Sequence, residues 1–123
     1  MVQDLTVFQK TYDFLLWLKP VAQKFAKAHK YGLGIEIENE TVRLLKKIIE
    51  ANLSRSKKEE LIEESLVVYE IIRTLVRLSK DYKQISVRQY EFASKNLVEI
   101  GNLLGGWRRK FSKNFQAAGN SGK

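Results

Sequence analysis

From Leu66 to Lys80 the chain reads LVVYEIIRTLVRLSK, a stretch in which apolar positions outnumber polar ones. On a helix with about 100° per residue, the apolar side chains cover an arc of roughly 200°, wider than the stripe that a surface helix needs for one core. The polar side chains fall on the remaining narrow stripe, where Arg73 and Arg77 lie one turn apart. The pattern predicts a long helix with more than one set of neighbours.

Arg73 and Arg77 have two interpretations. They can be solvated or paired with carboxylates such as Glu70, or they can form a rigid pair of guanidinium groups on a surface made for phosphate. Guanidinium is always charged and can bind phosphate through two hydrogen bonds, and one-turn spacing on a stiff helix holds both groups in place. The sequence leaves both interpretations open.

Helical periodicity also predicts a first helix from about Leu5 to Ala28. Pro20 interrupts it, and because proline removes a backbone hydrogen bond, a kink is expected after Leu18. The segment Lys30–Gly34 is predicted to be a connector, since its two glycines can stop a helix and permit positive φ.

The second predicted helix starts near Ile35 and ends between Asn52 and Arg55. Three glutamates stand in its first turns, where the helix dipole favours anions. The positions expected to be buried along it are Ile37, Thr41, Leu44, Leu45, Ile48 and Ile49.

Two tetrapeptides of the same kind predict the starts of the third and fourth helices. Ser56-Lys57-Lys58-Glu59 and Ser86-Val87-Arg88-Gln89 each place a serine that can cap the third backbone amide before a side chain that can return the bond. The third helix is expected to continue through Tyr82, and a short turn to Ile85 follows. Its expected buried seam comprises Leu61, Val68, Ile72, Leu75 and Tyr82.

The fourth predicted helix carries apolar side chains three and four residues apart without a break, the spacing of a coiled-coil-like seam. Beside the seam lie the small residues Ser94, Gly101 and Gly105, which lower helix stability and indicate a closely passing helix backbone. Together with Tyr69 and Val76, the two glycines are predicted to form helix-packing or oligomer contacts. The seam consists of Tyr90, Ala93, Leu97, Ile100, Leu104, Trp107 and Phe111.

Four amphipathic helices joined by short connectors predict an all-α fold, an antiparallel up-down-up-down four-helix bundle. The bundle domain is expected to span residues 1–113, with residues 114–123 as a flexible tail. Because the apolar arc of the third helix and the small residues of the fourth exceed what one core can cover, an oligomer is expected.

The formal net charge of +8 is unevenly distributed. Residues 1–35 carry five basic and two acidic side chains, residues 36–85 ten of each, and residues 86–123 seven and two. RNA or DNA is the leading partner class for such a chain, although an acidic protein or an anionic membrane surface also suits it. Arg108, Arg109 and Lys110 follow Trp107 and join Arg73 and Arg77 as predicted nucleic-acid contacts.

The chain offers few groups for catalysis or metal binding. It has no cysteine, one histidine, no glycine-rich phosphate loop and no paired-carboxylate motif beyond a solvated run between Glu59 and Glu64. We therefore expect a protein that is not an enzyme, with no metal site and no cofactor. No apolar run is long enough to cross a bilayer and no signal peptide is evident, so a cytoplasmic protein without a membrane partner is expected.

Three stretches carry a resemblance to a known family. They are the proline-containing first helix with its basic connector, from Trp17 to Gly34, the arginine pair within Ile72–Arg77, and the run Glu99–Trp107. In this order and spacing they resemble the four-helix-bundle proteins related to those encoded in ribosomal RNA intervening sequences. Within that group the chain looks most like the accessory variability determinant (Avd) proteins of diversity-generating retroelements.

The resemblance implies a homopentameric ring that binds a reverse transcriptase and RNA, or an RNA–DNA hybrid, and assists error-prone cDNA synthesis without catalysing a reaction. Arg73 and Arg77 match the paired arginines of the family, and Arg108 and Arg109 lie where the family is also basic. The acidic segment Glu36–Glu40 departs from the family pattern. The alternative is a protein-binding scaffold of the intervening-sequence type with no role in a retroelement.

Overall fold

The computed structural model describes residues 5–112, and four long helices account for most of them. They are α1 (Thr6–Gln23), α2 (Ile35–Leu53), α3 (Lys58–Asp81) and α4 (Val87–Phe111). A single helical turn, Lys27–His29, and a π-helical segment, Lys30–Gly34, connect α1 to α2. The described residues contain no strand, and the predicted all-α class is confirmed.

The helices pack in a closed cycle. α2 packs against α3, α3 against α4, and α1 against both α2 and α4. The short connections at residues 54–57 and 82–86 reverse the chain direction between neighbours. The fold is therefore the predicted antiparallel four-helix bundle. It occupies the described part of the predicted domain 1–113, and the predicted tail at 114–123 lies outside the described residues.

The core is apolar and continuous along the bundle axis. In α4 the central seam positions are buried as predicted, and in α2 the predicted stripe is buried except at Leu45 and Ile49, which are half-buried. Tyr82, predicted to be buried, is 54% exposed because α3 ends one residue before it. The core side chains include Val7, Phe14, Leu18, Ile37, Leu44, Ile48, Val68, Ile72, Val76, Ala93, Leu97, Ile100 and Leu104.

Small hydroxyl side chains also lie in this core, and each is satisfied within its own helix. Four of these side chains, two threonines and two serines, are fully buried. No buried side-chain polar atom among the described residues lacks a hydrogen bond. Each donates to the backbone carbonyl four residues earlier, an arrangement that removes the cost of burying an unpaired hydroxyl. The pairs are Thr11 with Val7, Thr41 with Ile37, Ser65 with Leu61 and Ser79 with Leu75.

The two predicted capping boxes have different outcomes. At the start of α4 the box forms: Ser86 Oγ accepts from the backbone N of Gln89 at 3.0 Å, and Gln89 Oε1 accepts from the backbone N of Ser86 at 2.8 Å. At the start of α3 the predicted box is wrong, because the N-cap is Lys57 and has no side-chain cap bond. There Ser54 Oγ accepts from the backbone N of Lys57 at 2.9 Å instead.

α1 ends earlier than the sequence pattern predicts. The helix continues through Pro20 and ends at Gln23 rather than Ala28. Beyond Pro20 the last turn tightens, since the backbone N of Lys24 and of Phe25 donate to carbonyls three residues earlier. The kink expected after Leu18 stays a prediction.

The glycines of the connector do not use positive φ, contrary to expectation, since no described glycine has one. Gly34 has a different reason for being glycine. A Cβ added there would lie 3.1 Å from the carbonyl oxygen of Ala22 and 3.5 Å from the ring of Phe25. The segment therefore remains helical and passes close to the end of α1, where a side chain would not fit without movement.

Candidate nucleic-acid interface

A groove of about 550 Å³ lies between the C-terminal half of α3 and the N-terminal half of α4. Three cationic side chains, Arg73, Arg77 and Lys80, line its α3 side. Arg73 and Lys80 are seven residues apart on one helix, which corresponds to about 10 Å along the axis. Tyr90, Ser94 and Val98 line the α4 side. The predicted arginine pair therefore faces one shared groove.

Arg73 is charged, paired and still accessible. Its Nη1 donates to Glu70 Oε1 at 3.0 Å, its guanidinium lies 5.8 Å from the ring centroid of Tyr69, and its side chain is 53% exposed. The hydrogen bond with Glu70 raises the pKa of Arg73. A surface pair of this kind contributes little to stability, so Glu70 holds the guanidinium in position without removing it from solvent.

Arg77 and Lys80 are held more loosely than Arg73. Arg77 Nε lies 3.9 Å from Asp81 Oδ2, and its side chain is 75% exposed. Lys80 Nζ lies 4.7 Å from the ring centroid of Tyr90 and 3.8 Å from Asp81 Oδ1. Both interpretations of the arginine pair thus have support: carboxylates accompany the cations, yet the cations face solvent along the groove.

The walls of the groove are held together at Tyr69 and Gly101. Tyr69 is buried, its hydroxyl donates to the carbonyl of Leu97 at 2.7 Å, and burial raises its pKa. A Cβ added at Gly101 would lie 2.6 Å from Cζ of Tyr69. Gly101 therefore makes room for a side chain from α3, where the sequence indicated a passing helix backbone.

Gly105 and Val76 have different surroundings. A Cβ added at Gly105 would have only Arg109 Nη1 nearby, at 3.7 Å. No neighbouring helix of the described chain requires glycine there, so its predicted oligomer contact stays a prediction. Val76 is buried in the core beneath the groove.

Arg108, Arg109 and Lys110 lie at the other end of the α3–α4 pair. Arg108 Nε is 3.7 Å from Glu63 Oε1, close to the start of α3. Glu63 and Arg73 are ten residues apart, or about 15 Å along a helix. The structure therefore divides the five predicted nucleic-acid contacts into two separate clusters.

The model of the bAvd-like family matches residues 5–111. The chain belongs to this family. The match begins immediately before α1 and ends with the last residue of α4, so it includes the groove and both clusters of basic residues. Searches among curated proteins and among solved structures found no match.

Lys58 of this bAvd-like bundle makes long-range contacts that the sequence pattern did not predict. Its Nζ donates to the carbonyls of Ala51 and Asn52 at 2.7 and 3.0 Å, and it lies 5.8 Å from the ring centroid of Trp107 and 5.3 Å from that of Phe111. Burial lowers its pKa. Lys58 thus joins the end of α2 to the start of α3 and the end of α4.

The acidic start of α2 in the bAvd-like chain lies away from the groove. α2 packs mainly on α1 and α3, whereas the groove is formed by α3 and α4. Two of its carboxylates meet cations, Glu38 with Lys19 at 3.6 Å and Glu40 with Arg43 at 3.1 Å. The departure from the family pattern therefore does not place negative charge in the groove.

The described part of the bAvd-like chain contains neither a metal-binding cluster nor a membrane-spanning helix. Residues 5–112 contain no group of three or more His, Asp or Glu side chains that could hold a metal ion. Within the same residues, no helix is both long enough and apolar enough to span a bilayer.

Proposed function

We propose that this bAvd-like protein is a non-catalytic accessory protein that binds RNA, or an RNA–DNA hybrid, together with a reverse transcriptase of a diversity-generating retroelement. Membership of the bAvd-like family supports an accessory, non-catalytic role. The observation that carries the nucleic-acid part is the groove with Arg73, Arg77 and Lys80 along one helix.

Binding in this groove is through the phosphate backbone. The three cations point from a rigid helix, and guanidinium groups can bind phosphate oxygens through paired hydrogen bonds. A phosphate can compete with Glu70 and Asp81 for these cations because exposed ion pairs are weak. Such contacts read no base sequence, so the protein would hold many RNA sequences near the polymerase with an affinity that falls steeply with salt.

The proposal includes a homo-oligomer, a pentamer if the resemblance to Avd proteins extends to assembly. Its support is an apolar depression of about 510 Å³ on the outer side of α3, lined by Leu66, Val67, Ile71 and Leu75 among others. Val67 is 60% exposed there. Light scattering at micromolar concentration tests it: a monomer would contradict the oligomer, and a trimer or hexamer would contradict only the pentamer.

The central experiment replaces Arg73 and Arg77 with alanine and measures RNA binding by filter titration at several salt concentrations. We expect weaker binding to many sequences alike, and a slope of log affinity against log salt that is shallower by about 1 to 2, since each lost phosphate contact removes about 0.7 to 0.9. Light scattering and circular dichroism on the same samples should show an unchanged subunit count and helicity.

The chain offers a matched control on α2. Arg43 pairs with Glu40 three residues earlier at 3.1 Å, as Arg73 pairs with Glu70, but it lies outside the groove. Arg43→Ala with Lys46→Ala removes the same charge and should leave RNA affinity nearly unchanged. If the control weakens binding as much as the groove variant, net charge alone explains the affinity and the groove has no special role.

Lysine replacements of the two groove arginines should restore only part of the affinity, since they keep the charge and lose the planar fork. The competing explanation is that the arginines hold Glu70 or an acidic partner in place. On that explanation the alanine variant would dissociate or melt early, and any intact oligomer would bind RNA as the parent does.

A second candidate function is a protein-binding scaffold without a retroelement role. The same apolar depression around Val67 favours it, because a protein surface could cover it. Val67→Asp would then abolish binding to a purified protein partner. Neither the parent nor the variant would bind RNA. Measurable RNA binding that depends on Arg73 and Arg77 would contradict the scaffold interpretation.

A further inference from the structure

Two segments that are distant in sequence form one surface at the connector end of the bundle. The backbone N of Ala26 donates to Gln84 Oε1 at 2.8 Å, and Gln84 Nε2 donates to the carbonyl of Tyr82 at 2.8 Å. The ring of His29 lies 4.9 Å from that of Tyr82. Gln84 thus holds the connector between α1 and α2 against the turn between α3 and α4.

The two segments that form this surface are basic and contain no carboxylate, although Asp81 and Glu91 border the second segment. Residues 24–34 include three lysines and no Asp or Glu, and residues 82–90 include one lysine, one arginine and no Asp or Glu. None of these cations forms an ion pair with another described residue, unlike the three cations of the groove. Their charge is therefore available to an anionic partner. They are Lys24, Lys27, Lys30, Lys83 and Arg88.

A partly exposed aromatic ring lies on the same surface. Tyr82 follows the last residue of α3 and is 54% exposed, although one side of its ring faces His29. An exposed ring close in sequence to cations is a combination by which proteins bind single-stranded nucleic acids, because any base can stack on the ring while the cations hold the phosphates.

Lys83 occupies a backbone conformation that favours glycine. Its φ is 60°, and it is the described non-glycine residue with a positive φ. The backbone N of Lys83 donates to the carbonyl of Lys80 at 2.9 Å and that of Gln84 to Ser79 at 2.8 Å, the bond pattern of a helix end where glycine is usual. A lysine here lowers stability relative to glycine, and it places a cation beside Tyr82.

The surface is continuous with the groove. Lys80, the last cation of the groove, accepts the backbone hydrogen bond from Lys83. A strand whose phosphates follow Arg73, Arg77 and Lys80 along α3 therefore arrives at Lys83 and Tyr82 at the helix end. In a duplex the bases are stacked inside and cannot reach a tyrosine ring, whereas unpaired bases can.

We propose that the connector-end surface, formed by Lys27, His29, Tyr82 and Lys83, binds unpaired nucleotides of the strand whose phosphates lie in the groove, with a base stacked on Tyr82. This inference rests on the proposed function, since it extends the same binding site. The expected ligand is a single-stranded segment: an RNA loop, an RNA end, or a single strand of DNA.

The test measures fluorescence anisotropy of labelled single-stranded oligonucleotides, RNA and DNA in parallel, against duplexes of the same sequence. Tyr82→Ala should lower single-strand affinity by about tenfold, within the range expected for one stacked base, and leave duplex affinity nearly unchanged. Tyr82→Phe keeps the ring and should bind like the parent. Tyr12→Ala on α1 removes another exposed tyrosine and serves as the control.

Lys83→Gly separates binding from folding. It relieves the positive φ, so the melting temperature should rise, while single-strand affinity and its salt dependence should fall. A damaged fold cannot produce these two opposite changes together. A drop in affinity for RNA and for DNA alike would support stacking and phosphate contact, whereas a drop for RNA alone would contradict a purely stacked base and indicate recognition of the 2′-hydroxyl.

The outcomes distinguish this inference from the proposed function. If Tyr82→Ala and Lys83→Gly bind single strands as the parent does while the Arg73 and Arg77 variant loses affinity, the inference is wrong and the proposed function stands. If none of these variants changes nucleic-acid binding, both are wrong. If Tyr82→Ala weakens single-strand and duplex binding equally, the ligand does not stack as an unpaired base.

Discussion

The two ends of the α3–α4 pair combine basic and aromatic side chains in different ways. At the end where α3 begins and α4 ends, here called the loop end, the Lys58 ammonium donates to two carbonyls at the end of α2 and lies against the rings of Trp107 and Phe111. At the groove end, Lys80 lies over Tyr90, and its nearest carboxylate is Asp81 at 3.8 Å. The residue types are alike, and the hydrogen-bond partners are not.

The difference teaches that a basic and aromatic composition does not by itself indicate a binding surface. A cation whose donors are already taken by backbone carbonyls stabilises the fold, whereas cations with only exposed carboxylates nearby can exchange them for a ligand. Substitutions at the loop end should therefore change stability, and those at the groove end should change binding.

The largest expected effect is a loss of unfolding free energy at Gly101, which lies on α4 between the two ends and whose replacement should destabilise both. Gly101→Leu should destabilise the bundle by about 3 kcal/mol or more and Gly101→Ala by about 1–3 kcal/mol, because even one methyl group overlaps Tyr69. Gly105→Ala, in open space, should stabilise it by about 0.5–1 kcal/mol through helix propensity. Urea denaturation followed by circular dichroism measures all three.

A Tyr69→Phe background provides the control for Gly101. Removing the hydroxyl, the group nearest to the added Cβ, should make Gly101→Ala less damaging than it is in the parent, a coupling that a double-mutant cycle detects. Equal stability of Gly101→Ala and Gly105→Ala would show that Tyr69 moves aside easily and that the tight contact is unimportant.

The next effect sharpens the contrast between the ends. Lys58→Met keeps the apolar stem but removes two hydrogen bonds to carbonyls, so we expect a loss of about 1–2 kcal/mol in unfolding free energy with unchanged RNA affinity. Lys57→Met, at the exposed neighbouring position, should cost less than about 0.5 kcal/mol. A Lys58 variant that folds as stably as the parent but binds RNA weakly would show that the loop end, and not only the groove end, binds RNA.

The smallest effect compares the two helix starts. Ser86→Ala should cost about 1 kcal/mol because it removes a formed cap, whereas Ser56→Ala should cost almost nothing because Ser56 caps no helix. Ser54→Ala tests the replacement bond at the start of α3 and should fall between them. Equal losses at Ser56 and Ser86 would contradict the geometry at the start of α3.

The parts of the fold that the sequence predicted well depend on local patterns. α2 and α4 have unbroken apolar periodicity, and Ser86 supplies a cap that needs only its neighbour Gln89. The start of α3 was misassigned because Ser54 and Ser56 both suit a cap, and only the three-dimensional path of the loop chooses between them. The end of α1 depends on how the connector packs, which periodicity does not describe.

The candidate site was predictable to the same extent. Arg73 and Arg77 line one groove, as their one-turn spacing predicts. That spacing depends on a single helix and can be read from the sequence. The antiparallel pairing of α3 and α4 separates them from Arg108, and it also brings Tyr69 to Gly101 and Lys58 to Trp107. These contacts join residues more than thirty positions apart, and no local pattern in a single sequence predicts them.

The buried hydroxyls of the core, which donate hydrogen bonds within their own helices, also affect how the helices can move. Because Thr11, Thr41, Ser65 and Ser79 each bond within their own helix, they do not oppose a sliding displacement of one helix along another. Between α3 and α4 the bond from Tyr69 to Leu97 does oppose it. Any shear that accompanies assembly with a partner should therefore leave α3 and α4 moving as one body.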